Sequence, residues 1–237
     1  NVTKKQPQPV YRRDMSRDTA LNYIIASASC FPAFPMKEIE GEHFVDGGYY
    51  DNVPIELARS MGAQQIVAVD LKSVGKRKIH RPQKDVIYIE PQVSLGSFLL
   101  FDQVRIHHNM ERGYQDTLKK FDCCLGSIYT FSLQDKAHII AFEERIHMQL
   151  EQIDDLVDRR YMSRLVKKAF HHQMIASFSH FQEYDWPFLR MLEMTALAFQ
   201  IDDIGIWSFP KFAEQVLACA QKHVSIAERA DRDSLHL

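Results

Sequence analysis

Hydrophobic positions recur at intervals of three and four from residue 102 onward, whereas between residues 44 and 90 they fall into short unbroken runs. The first pattern is that of amphipathic helices, the second that of buried strands. In the later half, Ile106, Met110, Tyr114, Leu118 and Phe121 predict one helix, capped by Asp102 and mildly weakened by Gly113. Ile139, Phe142, Ile146, Leu150, Ile153 and Val157, at spacings of 3, 4, 4, 3 and 4, predict a second. Three more helices are expected over 161–181, 186–199 and 209–230, with connections at Tyr184-Asp185-Trp186-Pro187 and Asp202-Asp203-Ile204-Gly205. Pro210 fits a helix start, and the tail after Asp231 is expected to fray. Tyr129 to Leu133 reads either as one more strand or as an extended connector.

In the earlier half, Asp14 to Asp18 offers capping residues, after which Leu21, Ile24, Ile25 and Ala28 recur at helical spacing. That helix should stop before Pro32. The short apolar run Phe44-Val45 ends at Asp46, followed at once by Gly47 and Gly48, so a strand is expected to stop where a carboxylate is presented. Glycine takes backbone angles closed to other residues and lets a second segment or a ligand approach closely. Ile55 to Met61 has helix composition behind Pro54, with Gly62 as its stop. Gln65 to Leu71 then reads as a second strand and Val86 to Glu90, before Pro91, as a third. Strand, helix and strand in about thirty residues predict a βαβ unit with a parallel, right-handed crossover. In open sheets of that kind ligands bind beyond the carboxyl ends of the strands, which makes Asp46 a candidate for chemistry.

Several separate stretches share one further property. Ala26-Ser27-Ala28-Ser29-Cys30-Phe31-Pro32-Ala33-Phe34-Pro35, Val45-Asp46-Gly47-Gly48, Asn52-x-Pro54 and Gly62-Ala63-x-x-Ile66-Val67-Ala68-Val69-Asp70 occur in an order and spacing that resembles the second half of the patatin-like phospholipase family. The resemblance runs through residues 15–72, and beyond residue 130 only a helical extension is read. It implies hydrolysis of lipid acyl esters by a serine and an aspartate without a histidine. The aspartate of the Asp-Gly-Gly motif is here Asp46, with Gly47 and Gly48 completing the motif. The serine belongs to a Gly-x-Ser-x-Gly elbow, preceded by a glycine-rich loop that supplies oxyanion-hole amides, and this chain contains neither. Gly96-Ser97 and Gly126-Ser127 lack the second glycine and follow no convincing strand, so both are rejected as elbows. The family order places the elbow upstream of Asn1. The expectation is therefore a carboxyl-terminal part of a longer protein, with residues 1–9 a strand remnant and loop.

Composition narrows the classes. A chain of 237 residues, 46% hydrophobic and 25% charged, can bury a substantial core, and a net charge of −2 gives no electrostatic case for nucleic acid. No apolar run approaches a membrane span. Cys30, Cys123, Cys124 and Cys219 form no Cys-x-x-Cys pair, which predicts reduced thiols and a cytoplasmic setting. The basic stretch Lys72 to Lys84 reads as a solvated loop or as a contact to anionic headgroups at a membrane surface. His107, His108 and Glu111 lack a second ligand pair, and Glu144-x-x-His147 has no counterpart, so neither cofactor nor metal is predicted. Ser27, Ser29 and Cys30 read as packing residues at a helix end. The nine phenylalanines and tryptophans from Phe170 to Phe212 read mostly as core or inter-helix packing, some of them as candidates for an acyl-chain groove or a bilayer contact.

The expected fold is α/β: a patatin-like parallel-sheet layer over residues 1–100, then a mostly helical extension or cap over 101–237. The expected partners are a lipid or acyl-ester substrate and, peripherally, a membrane; the pattern is silent on oligomeric state. The alternative function is a catalytically inactive module that binds lipid or protein through its helices. Taken alone, the 237 residues are expected to be inert for want of a nucleophile.

Overall fold

The computed structural model describes residues 1–73, 75, 84–159 and 185–234, so the helix expected over 161–181 and most of the basic stretch fall outside the described residues. The chain divides into two compact units, Asn1–Ile106 and His107–Leu237. Each mixes helices with small two-stranded sheets, an arrangement compatible with the α/β class.

In the first unit, helix α1 (Arg17–Ser27) opens with a capping box. The Ser16 hydroxyl accepts from the Thr19 amide at 3.1 Å, and the Thr19 hydroxyl accepts from the Ser16 amide at 3.0 Å. The apolar face expected of this helix is only partly used. Ala26 is buried with Ile39 and Phe44, and Tyr23 meets Phe44 edge-on at 5.7 Å, yet Leu21 and Ile24 are 63% and 64% exposed. The surface under α1 explains this, because it is a hairpin only three residues long. Strands β1 (Lys37–Ile39) and β2 (Glu42–Phe44) pair antiparallel, joined by Glu40 and Gly41 at φ of 52° and 80°. Two consecutive residues at positive φ make the turn whose twist matches a hairpin.

That hairpin corrects the sequence reading. The strand before Asp46 pairs backward with β1, and no βαβ crossover runs from it to the next strand. The parallel pair comes one strand later. Helix α2 (Ile55–Ser60) follows Pro54 and stops ahead of Gly62, which sits at φ 95°. It leads into β3 (Ile66–Val69), which pairs in parallel with β4 (Val86–Ile89), Ile66 opposite Val86 and Val69 opposite Ile89. Val53, Ile55 and Ala68 form a small core between helix and sheet. Arg59 fastens α2 to the approach of β4, its Nε and Nη2 donating to Asp85 at 3.0 and 2.8 Å.

The second unit is built around rings. Helix α3 (Gln103–Lys120) starts at Asp102, whose carboxylate accepts from the Arg105 amide at 2.7 Å. Strand β5 (Thr130–Phe131) pairs in parallel with β6 (Ile206–Trp207), and helices α4 (Lys136–Arg159), α5 (Pro187–Ala198) and α6 (Phe209–Ser234) complete the unit. Phe131 lies 5.8 Å from Phe209 and 5.1 Å from Phe212, and Tyr129 lies 4.6 Å from Phe212. Each such ring contributes about 2 kcal/mol by leaving water. Glu143 of α4 accepts from the first amides of α5, Phe188 at 3.3 Å and Leu189 at 2.6 Å.

Two expectations are revised here. Ile106, Met110 and Tyr114 of α3 are exposed, and the residue that α3 buries is Gln115. Its inward stripe is polar because it meets backbone and polar groups: Thr130 donates to Gln115 at 3.4 Å, and Lys119 donates to the Ser127 carbonyl at 2.6 Å. Helix α6 also continues to Ser234, past the expected fraying point. Among the described residues no helix is long and apolar enough to cross a membrane.

Candidate active site

Asp46 lies two residues beyond β2, and its amide donates to the Ser29 carbonyl at 3.0 Å, which fastens the segment leaving the hairpin to the end of α1. Its side chain turns forward. Oδ1 accepts from the Gly48 amide at 2.6 Å and so caps a single 3₁₀ turn, Gly47–Tyr49. Among the described residues, the second carboxylate oxygen carries no hydrogen bond. One oxygen is anchored while the other stays open, and the residue is half-buried. A base needs this combination of fixed direction and a free lone pair.

The two glycines of the motif turn out to differ. A methyl group on Gly48 would lie 2.1 Å from Asn52 Oδ1 and 3.0 Å from Asp46 Oδ1, so a larger residue there must push the Asn52 carboxamide aside. A methyl on Gly47 would meet only Ser27 Oγ, at 3.9 Å, an ordinary contact. Tyr49 closes the turn from the other side, its hydroxyl donating to the Phe31 carbonyl and lying 3.8 Å from Cys30 Sγ. The contact to Cys30, then burial, then the charge of Asp46 push the Tyr49 phenol up from its ordinary value.

Asp46 and Ser27 stand on the wall of a groove of about 920 Å³ within the first unit. Val10, Met15, Tyr23, Ile24, Phe44 and Leu57 give it an apolar lining. The other candidates near it are explained by packing. Ser29 is buried and its hydroxyl donates back to the Ile25 carbonyl at 2.8 Å. Cys30, Cys123, Cys124 and Cys219 are all free thiols. Ser97 sits in the loop before α3, where its hydroxyl accepts from the Leu99 amide at 3.3 Å, and Ser127 sits in a turn. Neither is presented by a strand.

The second unit holds two polar clusters that periodicity alone did not reveal. His108, Asp202 and Asp203 offer ligand atoms within 4.8 Å of one another. Both Asp203 oxygens are already engaged, one by His108 Nε2 at 2.8 Å and one by Arg112 Nε at 2.6 Å. Burial would raise the Asp203 carboxyl, but Arg112 and His108 outweigh it and hold it below its ordinary value. The cluster is a charge-compensated link between α3 and the turn before β6. Glu193 of α5 is fully buried and accepts from the amides of Ser127 at 2.8 Å and Tyr129 at 3.2 Å. Burial pushes it up to about 7 against the opposing pull of the Ser127 and Ile128 amides, Lys119 and Arg190. Glu144 and His147 are both exposed on α4.

Comparison with known proteins bears on the first unit. The family model of patatin-like phospholipases matches residues 1–59. Lysophospholipase NTE1 of Saccharomyces cerevisiae is 43% identical over 58 residues, which is 24% of this chain and 4% of that protein. Lysophospholipase NTE1 of Mycosarcoma maydis is 40% identical over 55 residues, 23% of this chain and 3% of its own length. The chain thus spans only a few per cent of the length of the curated relatives it matches. No solved structure matches it. The family match stops at 59, short of the resemblance through 72.

Proposed function

We propose that this chain supplies the general base of a lipid acyl hydrolase, Asp46, acting with a serine from a segment outside these 237 residues. The observation that carries the reading is the state of Asp46: one oxygen anchored by the Gly48 amide, the other open, on the wall of an apolar groove and inside the stretch that matches the family model. No Gly-x-Ser-x-Gly occurs in the chain, so the nucleophile is assigned elsewhere.

In the proposed reaction the serine Oγ attacks the ester carbonyl while the open oxygen of Asp46 takes its proton. The tetrahedral oxyanion is held by backbone amides near the serine, and its collapse expels the alcohol, which carries the proton away from Asp46. Water then attacks the acyl-serine by the same route, releasing the fatty acid. The groove beside Asp46 suits an acyl chain, since its lining is apolar and its volume lies in the usual range for small-molecule sites. A lysophospholipid, the substrate class in the relatives' name, fits this reading. The reaction assigns no step to a metal or organic cofactor.

The test is fluorophosphonate labelling with peptide mapping on protein expressed from its natural reading frame, alongside Asp46→Asn. Labelling of one serine outside these residues, with turnover reduced at least about a hundredfold in the variant, is expected. Undiminished turnover in Asp46→Asn would remove the aspartate from its role.

A further inference from the structure

The carboxamide of Asn52 is wedged between two glycines. On one side a methyl group on Gly48 would lie 2.1 Å from Asn52 Oδ1, and on the other a methyl on Gly75 would lie 2.4 Å from Asn52 Nδ2 and 2.8 Å from the Gly48 carbonyl. Nδ2 also donates to Ser73 Oγ at 3.4 Å. The amide plane of Asn52 therefore fills the gap between the turn that carries Asp46 and the loop that leaves β3.

That loop is itself fixed at its root. Asp70, buried just past β3, accepts from the Lys72 amide at 2.7 Å and from the Tyr88 hydroxyl of β4 at 2.9 Å. Contacts thus run from the parallel sheet through Asp70 to Lys72, and from Ser73 and Gly75 through Asn52 to Gly48. The Gly48 amide is the donor that orients Asp46. Asn52 Oδ1 and Asp46 Oδ1 flank the same point, at 2.1 and 3.0 Å from where a Gly48 methyl would stand.

We propose that Asn52 is a positioning residue for Asp46: clasped between Gly48 and Gly75, its side chain sets the turn that aims the Asp46 carboxylate. This rests on the reading of Asp46 as the general base. Without the carboxamide the Gly48 turn loses its backing, and the anchored oxygen loses its fixed direction. A misdirected base costs turnover more than substrate binding.

Two variants in protein expressed from its natural reading frame test this. Asn52→Ala is expected to lower kcat by about tenfold to a hundredfold with KM changed less than about threefold. Asn52→Asp keeps the shape, so it guards against a variant that merely fails to fold, and it sets a second carboxylate beside the first. Like charges disfavour ionisation, so the acid limb of its kcat/KM profile should move up by roughly half a pH unit or more. That shift reports that position 52 lies beside the Asp46 carboxylate, and the fall in kcat at little-changed KM in Asn52→Ala reports the positioning, which a purely structural role would not produce. Asp46→Asn serves as the reference. If it is inactive while Asn52→Ala keeps wild-type kcat, the positioning role is wrong and the base stands. If Asp46→Asn keeps full turnover, the base reading fails and the positioning role with it.

Discussion

Asp46 and Glu193 each accept hydrogen bonds from the amides of a glycine-bearing turn, yet one stands on the wall of a groove and the other is wholly enclosed. In the first unit the grip is partial, one amide on one oxygen. In the second, two amides converge on Glu193 Oε1, and Gly126 leaves no room beside it, since a methyl there would lie 2.4 Å from the Tyr129 carbonyl and 2.9 Å from Oε1. The same chemical motif therefore serves two ends. Enclosure makes Glu193 a pin for its turn, and partial exposure leaves one oxygen of Asp46 open, as the proposed base requires.

Isosteric amides should separate the two most widely. Asp46→Asn is expected to lose turnover by at least about a hundredfold with its melting temperature unchanged. Glu193→Gln should do the reverse, keeping turnover and altering stability. A common response in both variants would break the comparison. Next in size are the glycines. Gly126→Ala combines strain at φ 97° with a clash against backbone and is expected to destabilise the second unit by about 3 kcal/mol. Gly48→Ala meets only side chains, so about 1 kcal/mol and a fall in turnover are expected. The only tryptophans, Trp186 and Trp207, both fall in the second unit, so their fluorescence during urea unfolding reads that unit alone.

The pH dependence comes third, and its sign follows from the direction of the shift. Glu193 is raised from an ordinary 4.5 to about 7 in the folded chain. A raised carboxyl favours folding while it is protonated. Its contribution is thus complete below about pH 4.5 and is lost as the pH climbs to about 7. The loss is on the order of 3 kcal/mol, read as a falling urea midpoint of the tryptophan signal across that window. Glu193→Gln should flatten the profile, and an unchanged slope would show that another group sets it. The smallest expected effect is that of Tyr129→Phe, which removes the hydroxyl donating to the Ile201 carbonyl at 2.7 Å and should cost about 1 kcal/mol.

Much of the secondary structure was legible because period and punctuation agreed. Pro54 and Gly62 bracket α2, and the apolar spacing from Ile139 onward marks α4. The Asp46 turn was legible for a like reason, an acid followed by two glycines. Other features depended on distant partners. Nothing in the run Lys37 to Phe44 says that its two short strands fold on each other, because the decisive signal is positive φ at Glu40, where a non-glycine residue hides it. Ile106, Met110 and Tyr114 are spaced as a buried stripe, yet α3 turns Gln115 and Lys119 inward toward Thr130 and the Ser127 carbonyl, partners that periodicity does not see. Asn52 was read as part of a motif. Its contact with Gly75 spans twenty-three residues and exists only in three dimensions.

The parallel pair β3 and β4 has a consequence for handling the protein. Val67 and Val69 on one face of β3, and Leu71 just beyond it, are each more than half exposed. Parallel sheets are normally covered on both faces, and a bare apolar face invites association between copies. With a net charge of only −2, the chain has little electrostatic repulsion to keep copies apart. Those side chains add to the exposed apolar surface through which copies can associate, and replacing Val67 and Val69 with threonine should raise the concentration the chain reaches before precipitating.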